Sequence, residues 1–147
     1  MYLLKAEHSF DSAHFLANYN GKCKNIHGHR WKVEIEVYAE NLVECGQLDG
    51  MVVDFGDLKR DLREIVDLYD HALIIQKHSM REATLKHLLE DEFKVIEVNF
   101  RPTAENFSYD FFKNIEKKGY QVKRVMVYET PTNCAVYEKS EGKSCIK

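Results

Sequence analysis

The chain has 147 residues, 44% apolar and 31% charged, a balance that fits one globular domain over 1–147 and excludes disordered and fibrous classes. Basic residues number 21 and acidic residues 24, a formal net charge of −3, so charge gives no reason to expect nucleic acid or a membrane surface as partner. No apolar run approaches the roughly 18 residues of a membrane span, and MYLLKAEHSF is charged too early for a signal peptide, so a cytoplasmic protein is expected.

Tyr2 to Phe10 reads as a strand. A polar loop, Asn18 to Asn25, follows. From Trp31 to Ala39 the chain alternates: Trp31, Val33, Ile35 and Val37 on one face, Lys32, Glu34 and Glu36 on the other, the pattern of a half-buried antiparallel strand. Asp54 caps a helix whose stripe is Phe55, Leu58, Leu62, Ile65, Val66 and Tyr69, with Asp70 and His71 at its end. A second helix is expected from Arg81 to Asp91 and a short strand from Phe93 to Asn99. Thr103 caps a third helix with Glu105 in its first turn; Phe107, Phe111 and Ile115 form its stripe and Gly119 stops it. Val122–Glu129 and Cys134–Lys139 are strands around a turn at Pro131. Strands, then helices, then strands predict an α+β fold with a largely antiparallel sheet.

Four cysteines, Cys23, Cys45, Cys134 and Cys145, contain no C-x-x-C pair, and a reducing compartment argues against a disulfide framework. The histidines are more informative. In extended chain His27 and His29 point to the same side, and Gly28 between them allows close approach. If the first two strands form a hairpin, His14 returns beside them. Three imidazoles around one point make a zinc site with an open fourth position. A lone His-x-His pair is commonly just solvated; the third histidine, and Cys23 just upstream, turn the balance.

At this point the residues resemble a family. GKCKNIHGH (Gly21 to His29), preceded by Asp11-Ser12-Ala13-His14, is similar to the 6-pyruvoyltetrahydropterin synthase superfamily. Tyr69-Asp70-His71, Pro102-Thr103-Ala104-Glu105-Asn106 and Tyr128-Glu129-Thr130 follow in the family's order. Within it, the C-x3-HGH spacing of Cys23 and His27 looks like the 6-carboxytetrahydropterin synthases of bacterial and archaeal queuosine biosynthesis. The stretch Gln76 to Asn99 is longer than in their compact members.

The resemblance implies a tunnelling fold: a four-stranded antiparallel sheet with helices on one face, assembled as a homohexamer of two stacked trimers. Strands would close into a barrel, with active sites between subunits. It implies Zn2+ on His14, His27 and His29, and 7,8-dihydroneopterin triphosphate as the small-molecule substrate. Cys23 would be the proton acceptor, His71 a second acid/base with Asp70 as its orienting partner, and Glu129 the anchor of the pterin ring. Thr103 and Glu105 would be further anchors, or merely residues of the helix cap. Neighbours such as Asp70 and His71 do not easily bond side chain to side chain, so Asp70 is expected to act on Cys23, or on His71 through a bent turn. The product would be 6-carboxytetrahydropterin, with triphosphate and acetaldehyde released. The alternatives are a 6-pyruvoyltetrahydropterin synthase and, in another class, a zinc- or pterin-binding protein without turnover.

Overall fold

The computed structural model describes residues 1–139, so Cys145 and the end of the expected domain lie outside it. In chain order the elements are β1 (Tyr2–His14), β2 (His27–Ala39), α1 (Phe55–Val66), β3 (Ala72–Gln76), α2 (Glu82–Glu90), β4 (Val95–Val98), α3 (Ala104–Lys117), β5 (Val122–Thr130) and β6 (Asn133–Glu138). A short 3-10 turn, Lys22–Lys24, lies between β1 and β2. β1 and β2 pair antiparallel in unbroken register, from Tyr2 opposite Ala39 to His14 opposite His27. Both strands therefore run past their alternating apolar part and carry the histidine motif inside the ladder.

The expected four-stranded antiparallel sheet is corrected to six strands in the order β4-β3-β1-β2-β5-β6. β1, β2, β5 and β6 form the antiparallel part; β3 and β4 add to it in parallel. The segment after Asp70-His71 makes the addition, because β3, α2 and β4 form a strand-helix-strand crossover. β3 escaped the sequence reading for a physical reason. Its residues Ala72, Ile74 and Ile75 are all buried, so ALII is a continuous apolar run with no alternation.

One face of the sheet holds the core. Ala6 and Phe10 of β1, Trp31, Val33, Ile35 and Val37 of β2, and Val125 and Val127 of β5 are buried there against α1 and α3. α1 starts where expected: Asp54 accepts from the amides of Gly56 (2.6 Å) and Asp57 (3.3 Å). It turns in Leu58, Leu62, Ile65 and Val66. α3 contributes Phe107, Phe111, Phe112 and Ile115, and Gly119 ends it with φ 97°, a value glycine adopts without a Cβ clash. α2 stands apart from this layer and buries no residue. Its Leu88 borders a cleft with Ala13 and Leu73, which alternation puts on the opposite face, so helices on one face describes α1 and α3 only. That opposite face is charged. Glu34, 3% exposed, is held by Lys5 at 2.6 Å and Lys32 at 2.5 Å, and Arg124 pairs with both oxygens of Glu36. Among the described residues no helix is long and apolar enough to cross a membrane.

Candidate active site

His14 and His27 face each other across the last rung of the β1–β2 hairpin, and His29 stands opposite Ser12. Alternation puts all three rings on the core face. One ligand nitrogen of each lies within 4.8 Å of the others. Trp31 is the floor, its ring edge-on to His14 at 5.0 Å and to His29 at 5.4 Å. The hairpin expected from the sequence forms, and its register undoes the separation of the histidines along the chain.

Backbone carbonyls set the ring tautomers. His14 donates from Nδ1 to Pro102 O at 2.7 Å, and His27 donates from Nδ1 to Asn25 O at 2.8 Å. A carbonyl only accepts, so each Nδ1 holds the proton and each Nε2 keeps its lone pair. The Nε2 atoms of His14 and His29 are buried without a hydrogen-bond partner. Orphaned nitrogens of this kind cost about 1–3 kcal/mol each unless something fills the space between them. A divalent cation does so, and a set of neutral imidazoles with one side open suits it.

Burial also disfavours a proton on two of the rings. It pushes His14 down to about 4, against the Pro102 hydrogen bond, and lowers His29 as well. Between His14's unfolded value of 6.5 and its folded value, the unfolded chain binds a proton that the folded chain refuses. Stability is therefore full above that window and is lost as pH falls through it, by about 1.4 kcal/mol per pH unit for one proton. Urea titrations of the metal-free protein at pH 7 and pH 5 should show the loss. A His14→Gln variant should show a shallower one; equal slopes would contradict the assignment.

Glu129 joins the cluster more closely than its position in the sequence suggested. It sits at an irregularity in the β5–β6 register, between Tyr128 and Thr130, where a bulge re-aims a side chain. Its Oε1 lies 3.6 Å from Nε2 of both His14 and His29. Cys23 is half-buried in the 3-10 turn, and its carbonyl accepts from Leu16 N at 2.8 Å, which closes the loop between the strands. Thr103 caps α3, accepting from Asn106 N at 3.4 Å. Glu105 is exposed in the first turn, with no hydrogen bond to its carboxylate among the described residues.

One expectation about Asp70 and His71 is corrected, and one of two alternatives is met. They do not end α1, which stops at Val66 with Asp67 as its C-cap; they lie in the turn before β3. They also bond to each other directly, His71 Nδ1 to Asp70 Oδ2 at 2.7 Å. A left-handed backbone at His71, φ 53°, bends the chain enough to allow this. The other Asp70 oxygen accepts from Asp11 N at 2.8 Å. That amide first, and His71 second, hold Asp70 below the usual carboxylate range. The His71 ring is 78% exposed. It borders the cleft of Asp11, Ala13 and Leu73, on the face of the sheet away from the three histidines. One chain thus brings together His14, His27, His29 and Glu129, and keeps His71 across the sheet from them.

Sequence reasoning missed the groups that aim the site: the carbonyls of Pro102 and Asn25, the amide of Asp11, and Trp31 as floor. The first three are backbone atoms and leave no trace in residue type. Trp31 was visible only as a core residue.

Residues 3–140 match the model of the family 6-pyruvoyl tetrahydropterin synthase. The chain belongs to that family. A 6-carboxy-5,6,7,8-tetrahydropterin synthase of Haemophilus influenzae is 34% identical over 142 residues, covering 95% of this chain and all of that protein. The protein of the same name from Rickettsia bellii is 35% identical over 133 residues, covering 86% of this chain and 92% of its own. Among solved structures, an uncharacterized protein from Wolinella succinogenes superposes with a TM-score of 0.77 over 95% of this chain and 98% of its own, at 21% identity. The 6-pyruvoyl tetrahydropterin synthase of Caenorhabditis elegans does so with 0.66 over 95% and 96%, also at 21% identity. These neighbours share the fold.

Proposed function

We propose that the protein is a 6-carboxy-5,6,7,8-tetrahydropterin synthase that converts 7,8-dihydroneopterin triphosphate and water to 6-carboxytetrahydropterin, triphosphate and acetaldehyde. The observation that carries this reading is the convergence of one ligand nitrogen from each of three histidines, with the carboxylate of Glu129 beside His14 and His29. The relatives at 34% and 35% identity and the C-x3-HGH spacing support the carboxy branch over the pyruvoyl one.

His14, His27 and His29 would hold zinc, which supplies Lewis-acid polarisation of substrate oxygens and so acidifies the neighbouring C–H bonds. The chain's own groups do the rest. Glu129 holds the pterin, its two oxygens accepting from the paired N–H donors of the 2-amino-4-oxo edge. Cys23, on the loop between the metal-bearing strands, accepts a proton from a side-chain carbon. His71 is the second acid/base: Asp70 takes the hydrogen of its Nδ1 and leaves Nε2 to exchange a proton with substrate. Because His71 and the three histidines lie on opposite faces of one sheet, the reaction needs a His71 from another copy. Open edges support such an assembly. The outer edge of β1 is paired only over Ser12 to His14, and β6 closes the sheet on one side without a neighbour among the described residues. A closed symmetric homohexamer would join these edges.

Incubating the zinc-loaded protein with 7,8-dihydroneopterin triphosphate and identifying the pterin by mass spectrometry tests the reaction. 6-Carboxytetrahydropterin with acetaldehyde is the expected result. A 6-pyruvoyl product would move the chain to the sister activity, and unchanged substrate would leave a binding protein.

Glu129 has its own test. In Glu129→Gln one ring N–H meets an N–H in place of an oxygen, at a cost of about 1–3 kcal/mol or more. Affinity for an unreactive pterin such as biopterin should fall about ten- to a hundredfold. Zinc should stay bound, since three imidazoles remain; unchanged affinity would remove Glu129 as the anchor.

A further inference from the structure

The loop between β1 and β2 is held from a distance by one side chain. Arg101, in the link between β4 and α3, donates from Nη2 to Ala17 O at 2.5 Å. Its guanidinium lies over the ring of Tyr19, 5.7 Å from the centroid. Gly21 stands against the same ring: an added Cβ there would fall 2.5 Å from Tyr19 Cε1. Gly21 itself is extended, so a side chain there would displace the Tyr19 ring without straining the backbone. Two residues on stands Cys23, whose carbonyl accepts from Leu16 N. No carboxylate among the described residues pairs with Arg101, so its charge serves the loop carbonyl and the ring.

The next residue ties the same link to the metal side of the site. Pro102 O receives the Nδ1 hydrogen of His14 at 2.7 Å. Arg101 O in turn accepts from Asn106 Nδ2 at 2.9 Å and from Thr103 N at 2.8 Å, which fixes the link to the first turn of α3. One dipeptide thus grips the histidine cluster with its carbonyl and the cysteine loop with its side chain.

We propose that Arg101 is a positioning residue: with Tyr19 and Gly21 it clamps the 3-10 turn and sets Cys23 in register with the three-histidine cluster. This rests on the reading of Cys23 as proton acceptor, and its failure is separable from that reading's.

Arg101→Met keeps the length of the stem and removes the guanidinium; Gly21→Ala puts a methyl where the Tyr19 ring stands and forces the ring to shift. The measurements are hydrogen exchange at the amides of Leu16, Lys24 and Asn25 in the zinc-loaded full chain, kcat and KM with 7,8-dihydroneopterin triphosphate, and zinc content. Those three amides bond within the loop, so both variants should lose about tenfold or more of their protection while the core strands keep theirs. In both, kcat should fall about 10- to 100-fold, since a shift near 1 Å in a reacting group has that effect, with KM and zinc little changed. Tyr19→Phe keeps the ring and should keep the protection. Unchanged protection in Arg101→Met would overturn the clamp. So would a rise in KM with the loop still protected, which would place the guanidinium on the substrate. A loosened loop with normal kcat would leave the clamp standing and remove Cys23 from proton transfer.

Discussion

A His27→Ala/His29→Ala double variant is expected to lose its metal almost completely, and turnover with it. Wild-type protein should carry about one zinc per chain. The variant keeps only His14, whose Nε2 is buried and whose Nδ1 is spent on Pro102. A single imidazole does not hold a divalent cation against water. The fold should survive, because the two side chains sit at the loop end of the hairpin and the register beyond them is set by Trp31, Val33, Ile35 and Val37. Near-native circular dichroism with metal content close to zero is therefore the predicted pair of results. A full equivalent of metal in the variant would mean that the cluster is not the metal centre. An unfolded variant would call for His29→Gln alone, which keeps volume and polarity and should still weaken the metal by more than the roughly 10- to 100-fold typical of a lost outer-shell partner.

The two halves of this site were unequally legible in the sequence. The H-x-H motif states its own geometry, because a strand puts alternate residues on one side whatever surrounds it. His14 needed only the assumption of a hairpin, which the unbroken register from Tyr2 to His14 supplies. The caps at Asp54 and Thr103 were legible for the same reason: they are local, and one oxygen meets one or two amides close by in the chain. β3 was not, because a strand buried across its length loses the alternation that marks strands. The Asp70–His71 bond was legible only as one of two alternatives, because it depends on a left-handed residue that is not glycine, held by the pairing of His71 N with Asp11 O. Parallel pairing of β3 on β1 creates that contact between residues far apart in sequence, and no window of residues shows it. The same non-local step decides on which face of the sheet His71 ends.

That placement gives the last prediction. Cys23→Ala and His71→Ala should each fold and bind zinc, and each should lose about 10²–10⁴ in turnover, the usual worth of a positioned acid or base. Cys45→Ala, an exposed change outside the site, should stay active. The informative sample is a mixture. In one chain the sheet stands between His71 and the histidine cluster, so a working site would take Cys23 from one copy and His71 from another. When the two inactive variants are co-expressed in equal amounts, a site draws an intact Cys23 with a chance of one half and an intact His71 with the same chance. About a quarter of the sites in a randomly assembled closed oligomer are then complete, and activity should return to about a quarter of wild type. Size-exclusion chromatography with light scattering should find that activity in the oligomer and none in a monomer. If both residues served the same chain's metal, every site in the mixture would lack one of them, and the activity would never exceed that of the better parent.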